Sequence, residues 1–259
     1  MLALIVHRGD VNSEITRAPR AFGSASSPAE DMTSMALASE HLFIAKLRLG
    51  QAEFYRDLDQ CPSWTALLDG TASAATYLDF LIKARHYVTL TYPLLSGLKN
   101  RLIELSGDEA HIAFAAQKID EETDHDLLID NDIARLGYDP AAVLPSGRGN
   151  WVPVYEAWIK ATLASAHPNG VLGAAYALES LAVARAGKIT EALRTRSTIP
   201  GITESLTFLD LHAIADVGHV EDLEWMFIGM SPADLDMIYR TTLVTRAMYV
   251  GITQDMALH

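Results

Sequence analysis

The chain has 259 residues, of which 49% are apolar and 20% charged, and its 33 acidic and 20 basic side chains give a formal net charge of −13. This length and composition predict one globular domain with a sizeable core, and exclude a disordered or low-complexity chain. The negative charge excludes functions that depend on binding nucleic acid or an anionic membrane surface, because those partners require a basic surface.

The single cysteine, Cys61, excludes an internal disulfide and a zinc site built from several thiolates. We therefore expect a reducing, cytoplasmic compartment. The apolar start of the chain is too short for a signal peptide, and the most apolar later stretch, residues 170–184, contains Glu179. Neither export nor a membrane span is expected.

We expect residues 1–31, which are rich in Ser, Ala and Pro, to form a mobile N-terminal arm before a single domain of residues 32–259. In that domain apolar residues recur every three to four positions, which predicts an all-α fold. Residues 138–150, with two prolines and two glycines, are predicted to be a connecting loop. The predicted helices are Thr33–Asp59, Thr71–Leu95, Lys99–Leu105, Glu109–Leu136, Pro153–Ala166, Val171–Ala186, Ile189–Arg196, Glu204–Gly218, Val220–Phe227 and Pro232–Asp255, some of which could fuse.

Common nucleotide-binding and hydrolase motifs such as GxGxxG, the P-loop, HExxH and GxSxG are absent from the sequence. A first pair of candidate metal ligands is Glu122 and His125, which lie three residues apart in the predicted helix 109–136. This spacing places both side chains on one helical face, where they can reach a single ion. The alternative is a solvated acidic face that carries one histidine, and Glu121 is another candidate partner of His125.

Glu179 is the only ionisable carboxylate in a predicted helix that is apolar nearly all round. A buried carboxylate must be neutralised, paired or bound to a metal. Glu179 is therefore a second candidate ligand, and the alternative is an ion pair with an arginine such as Arg185.

His212, Asp216 and His219 are separated by steps of four and three residues, which places them on one face of a helix. Such donors suit iron, manganese or zinc better than calcium or magnesium. The alternative is a core histidine that the aspartate orients. Together with Glu122, His125 and Glu179, they give six ligands, enough for two irons with open positions for dioxygen and substrate.

Over residues 35–255 these features resemble the haem-oxygenase-like diiron oxidases, in particular the members that make terminal alkenes from fatty acids. The shared pattern is an ExxH, a later lone Glu and an HxxxDxxH in the same order and at similar separations. The resemblance implies a single-domain haem-oxygenase-like bundle of about seven helices, two irons per chain without a porphyrin, and dioxygen as co-substrate. It also implies that Glu122, His125 and His212 surround one iron, that Glu179, Asp216 and His219 surround the other, and that at least one glutamate bridges them.

The activity implied by the resemblance is oxidation of a small amino acid or carboxylic acid in specialised metabolism. The outcome would be oxidative C–C cleavage, decarboxylation or N-oxygenation. His86, Tyr92, Lys160 and Arg240 are candidate substrate contacts, and structural or surface roles are their alternatives. A homodimer is a further expectation from the resemblance.

Three other functions stay open at the level of sequence. A metal-free enzyme of cofactor metabolism, similar to TenA-type thiaminases and pyrroloquinoline-quinone synthase, would use the same histidines and acids for proton transfer. A haem oxygenase would use His41 as its axial ligand, and the six candidate metal ligands would then have no role in its activity. A helical binding protein without catalysis would carry the acids on its surface, which the apolar neighbours of Glu179 argue against.

Overall fold

The computed structural model describes the backbone of residues 28–256, and the side chains of residues 41–256 apart from 146 and 215–217. This part of the chain is helical and contains no strand, which confirms the predicted all-α class. None of its helices combines the length and apolar composition needed to cross a bilayer. The helices are α1 (Pro28–Leu58), α2 (Pro62–Leu68), α3 (Ala74–Val88), α4 (Thr91–Glu104), α5 (Glu109–Glu122), α6 (His125–Arg135), α7 (Pro140–Val143), α8 (Trp151–Ala164), α9 (Leu172–Arg196), α10 (Thr207–Phe227) and α11 (Pro232–Gln254).

The chain divides into two units, Met1–Ala36 and Leu37–His259. The predicted mobile arm, residues 1–31, lies outside the described residues except for its last four, which already belong to α1. Its mobility therefore stays a prediction. Every candidate ligand lies in the second unit.

Several predicted helix boundaries differ from the structure. The predicted helix Glu109–Leu136 is wrong as one element, because the chain leaves the helical path at Thr123 and Asp124 and starts again as α6. The segments predicted to either side of Gly187 instead form the single helix α9, and those to either side of His219 form α10. The predicted loop 138–150 contains the short helix α7, and α2 is an element that the sequence pattern missed.

The first part of helix α9, residues 172–182, is apolar on almost every side, and the helix contacts α2, α10 and α11. Its Gly173 lies against α11 so closely that an added Cβ would come within 2.1 Å of the Ile238 carbonyl oxygen. Only glycine permits this approach, since any larger side chain would have to push the two backbones apart. Residues 172–182 contain one acidic residue, Glu179, and it is buried because the residues around it are apolar.

Asp132 of α6 is fully buried and joins α6 to the start of α10. Its Oδ1 accepts hydrogen bonds from the Thr207 amide at 3.1 Å and the Thr207 hydroxyl at 2.6 Å, and its Oδ2 accepts one from the Phe208 amide at 2.9 Å. Free amides at a helix N-terminus favour a negative charge, so a carboxylate from another helix stabilises this end of α10. This contact fixes α10 relative to α6, and both helices carry candidate ligands.

Substitution of Asp132 by asparagine should lower the free energy of unfolding by about 2 kcal/mol. The amide keeps the shape of the side chain but turns an NH2 group toward one of the three donors. Urea unfolding at pH 7 measures the change. The matched control is Asp139→Asn, which alters the exposed cap of the short helix α7 and should cost less than about 1 kcal/mol. Equal losses in the two variants would contradict this account of Asp132.

Candidate metal centre

The break between α5 and α6 brings Glu122 and His125 together. Glu122 is the last residue of α5, His125 is the first residue of α6, and Asp124 between them has a left-handed backbone with φ of 66°. The Thr123 hydroxyl donates to the Ile119 carbonyl at 2.8 Å and so closes the end of α5. Glu122 and His125 are close together as predicted, but they lie on two successive helices and not on one. His125 Nδ1 lies 3.0 Å from Glu122 Oε2 across the break.

Five of the six predicted ligands meet in two groups that have one member in common. The first donor group is Glu122, His125 and His212, and the second donor group is Glu122, Glu179 and His219. Within each group, one potential ligand atom per residue lies within 4.8 Å of the others. Because a carboxylate has two oxygens, Glu122 could bind one metal ion with each of them. A donor set of carboxylates and imidazoles fits iron well.

Asp216, the sixth predicted ligand, lies in α10 between His212 and His219. Its side chain is outside the part of the structure that is described. Its membership of the metal centre therefore stays a prediction that rests on the helical spacing.

His212 is oriented by contacts within its own helix. Its Nδ1 lies 2.8 Å from the Phe208 carbonyl oxygen, to which it donates, and its ring packs on the Phe208 ring at 4.4 Å between centroids. This bond fixes the tautomer and leaves Nε2 as the metal-binding atom, the usual arrangement for a histidine ligand. The His125 ring lies 4.9 Å away, edge to face.

Burial and charge set the protonation states that metal binding needs. Burial raises the pKa of Glu122, but the hydrogen bond from His125, together with attraction to the neighbouring His125, His212 and Lys118 side chains, outweighs this, so the pKa is lowered overall. Burial lowers the pKa of His212 and of His219. Ionised carboxylates beside neutral imidazoles are the forms that bind a metal ion.

Two further charged residues of α5 belong to the centre, and neither was in the predicted ligand set. Lys118 has a side chain only 2% exposed, and its Nζ lies 3.0 Å from Glu121 Oε2 and 3.6 Å from Glu179 Oε1. Glu121, expected as a partner of His125, instead has Oε2 3.4 Å from His219 Nε2. The sequence feature that could have indicated the burial of Lys118 is its position on the same helix face as the apolar residues Phe114, Ala115 and Ile119, which are buried.

A mainly apolar cavity of about 130 Å³ adjoins the donor groups. Its polar lining includes Lys118, Glu122, Glu179 and His212, and its apolar lining includes Phe80, Phe114, Ile159 and Leu172. Such walls exclude water and accept an apolar molecule, while the few polar groups fix its orientation.

The four residues predicted to contact substrate lie away from this cavity lining. The His86 imidazole bonds the Leu144 carbonyl through Nε2 at 2.9 Å, and Tyr92 is 53% exposed. Lys160 and Arg240 are exposed and each pairs with an acid one turn earlier on its own helix. These contacts match the structural and surface roles that were their alternatives, and we propose no substrate role for them.

Comparison with known protein families shows which family the chain belongs to. A family model described as iron-containing redox enzyme matches residues 78–237, more than half of the chain, and the chain belongs to that family. No curated protein sequence matches the chain.

Three solved structures share the fold. A domain of unknown function with a heme oxygenase-like fold from Shewanella denitrificans OS217 is 21% identical, with a TM-score of 0.71 over 82% of this chain and 91% of that one. A TenA homologue from P. horikoshii OT3 is 12% identical, with a TM-score of 0.66 over 82% and 96% of the two chains. A TenA homologue from Pseudomonas syringae pv. tomato DC3000 is 12% identical, with a TM-score of 0.67 over 82% and 91%. These likenesses confirm the predicted haem-oxygenase-like fold.

The stability of the metal-free protein should fall as the pH drops below about 6.5, the usual pKa of histidine. Burial lowers the pKa of His212 in the folded protein, so in this range the unfolded chain binds a proton that the folded protein excludes. One such group contributes a slope of at most about 1.4 kcal/mol per pH unit. Urea unfolding between pH 5.5 and 8 measures it, and His212→Asn should flatten the slope. Parallel wild-type and variant curves throughout this range would contradict the prediction.

Proposed function

We propose that the protein is a non-haem diiron oxidase or oxygenase that uses dioxygen to oxidise a small amino acid or carboxylic acid. The reaction would be oxidative C–C cleavage, decarboxylation or N-oxygenation. The observation that carries the proposal is the pair of donor groups that share Glu122. Membership of a family of iron-containing redox enzymes supports iron as the metal.

In this proposal four helices, α5, α6, α9 and α10, supply the ligands of the two irons. His125 and His212 would hold one iron, Glu179 and His219 would hold the other with Asp216, and Glu122 would be the ligand that the two sites share. When bound, two irons supply electrons for the reduction of dioxygen. The His212 bond to the Phe208 carbonyl keeps that imidazole in the orientation and tautomer in which it can bind a metal ion.

The cavity supports a small substrate. Its volume of about 130 Å³ is close to that of an engineered apolar cavity of about 150 Å³ that binds benzene. An amino acid or short acid with an apolar side chain of about that size fits these walls better than a long fatty acid. Glu122 and His212 belong to the lining, so a bound substrate would lie beside the donor groups.

An anaerobic Fe(II) titration tests the metal centre. Wild-type protein should bind two irons per chain, and Glu122→Gln should weaken both sites by at least tenfold, because the shared ligand loses its charge. The matched control is Glu109→Gln, which alters an exposed acid at the other end of α5 and should leave both affinities unchanged. Two irons bound with wild-type affinity by Glu122→Gln would refute the bridging role.

A metal-free enzyme of cofactor metabolism is the second candidate, because the two TenA homologues share the fold. Its histidines and acids would transfer protons without a metal.

Dioxygen uptake separates the two candidates. The iron-loaded protein, offered a panel of amino and short carboxylic acids, should consume dioxygen with one substrate class. Glu179→Gln should abolish this uptake, whereas Glu191→Gln, on an exposed face of the same helix, should retain it. Substrate turnover that survives chelation of iron would favour the metal-free candidate instead.

A haem oxygenase is not supported by the position of His41. This residue is exposed on α1 and lines a surface groove with Glu221 and Trp225, away from the lining of the central cavity. A haem held there would lie apart from the donor groups.

A further inference from the structure

Lys118 is a buried cation that lies between Glu179 of the second donor group and Glu121, an acid beside that group. Its side chain is 2% exposed, and its Nζ lies 3.0 Å from Glu121 Oε2 and 3.6 Å from Glu179 Oε1. A lysine is rarely buried to this degree without acidic partners. The position of Lys118, one turn before Glu121 and Glu122 on α5, keeps it on the same face as both.

The charges around the second donor group explain this placement. Glu121, Glu122 and Glu179 bring three carboxylates into a part of the protein whose cavity walls are mainly apolar. Carboxylates held close together in a medium of low dielectric repel one another strongly. The ammonium group of Lys118 offsets part of this repulsion. A metal ion bound to the same carboxylates would also supply positive charge that offsets it.

The two donor groups differ in their contact with Lys118. Lys118 contacts Glu179, which belongs to the second group alone. In the first group His125 contacts Glu122, and His212 contacts the Phe208 carbonyl. Lys118 also helps to lower the pKa of the shared Glu122, but its ion pair within the donor groups is with Glu179. A divalent ion in the second group would therefore share a carboxylate with a fixed positive charge, and two cations on one carboxylate repel each other.

We propose that Lys118 is a built-in counter-ion of the second donor group, which competes with the metal there and makes it the weaker of two unequal sites. This inference rests on the proposed function, since it presupposes that both groups bind a metal ion. Lys118 is not a ligand in this account. It stabilises the metal-free centre and lowers the affinity of one site.

Metal titration of charge-removing variants tests the proposal. Lys118→Met keeps the apolar stem of the side chain and removes its charge, and Lys118→Gln also keeps a hydrogen-bond donor. Mn(II) binding, followed by the loss of the free-ion signal in electron paramagnetic resonance, counts sites without oxygen chemistry. The dissociation constant of the weaker site should fall at least tenfold in both variants, and that of the tighter site should change much less, because the ion pair of Lys118 is with Glu179. Melting temperatures should show a lower value for the metal-free variants and a larger gain on adding Mn(II) than in the wild type.

Lys83→Met is the matched control. Lys83 is a second lysine with a side chain only 10% exposed, and it pairs with Asp79 on α3, at 2.5 Å, without contact to either donor group. Its replacement removes a similar ion pair and should leave both dissociation constants unchanged. Lys118→Arg, which retains the positive charge, should keep the weaker site weak.

The outcomes separate this inference from the proposed function. Two sites of equal affinity in the wild type, or an unchanged weaker site in the folded Lys118 variants, would overturn the role of Lys118 and leave the metal centre standing. Tighter binding in Lys83→Met as well would also overturn it, because the effect would then be general. No Mn(II) or Fe(II) binding by the wild type or any variant would overturn both proposals together.

Discussion

The contact on which the centre depends is the buried carboxylate of Asp132 at the N-terminus of α10. It accepts three hydrogen bonds from Thr207 and Phe208, so the start of α10 is fixed to the middle of α6. His125 lies seven residues before Asp132 on α6, and His212 lies five residues after Thr207 on α10. Because both helices are rigid over these one or two turns, this joint sets the separation of the two imidazoles. A polar contact outside the donor groups therefore fixes the positions of His125 and His212 relative to each other.

Helical periodicity was sufficient to predict the fold class and to place His212 and His219 on one helical face, because both depend on a repeat of 3.6 residues, although the predicted helix ended one residue before His219. The apolar neighbours of Glu179 likewise predicted its burial. The break at Asp124 was not predicted, because Thr123 and Asp124 oppose a helix only weakly and no glycine or proline marks the left-handed residue. Lys118 was missed because lysine is usually a surface residue, and one of the two acids that it contacts, Glu179, is distant in sequence.

The fold and the chemistry of the centre are separable. TenA homologues share this arrangement of helices at 12% identity, while the chain itself belongs to a family of iron-containing redox enzymes. A shared fold supplies helix positions, and the function comes from the few side chains placed at the centre. In this protein the five described candidate ligands come from α5, α6, α9 and α10, and each helix also contributes to the apolar core. The donors thus gain rigid support from the same packing that keeps the fold intact.

The joint between α5 and α6 has a consequence for how such a centre can change during evolution. Thr123 and Asp124 are exposed, so replacing either one disturbs little of the core. They nevertheless connect the shared glutamate to the first histidine, and a change in backbone direction there would reorient Glu122 relative to His125. Inserting or exchanging a residue at this surface position would alter the spacing of the ligands while both helices stayed packed. The geometry of the centre can thus be retuned at a surface site, most cheaply by residues that accept the left-handed backbone at position 124, such as glycine or asparagine.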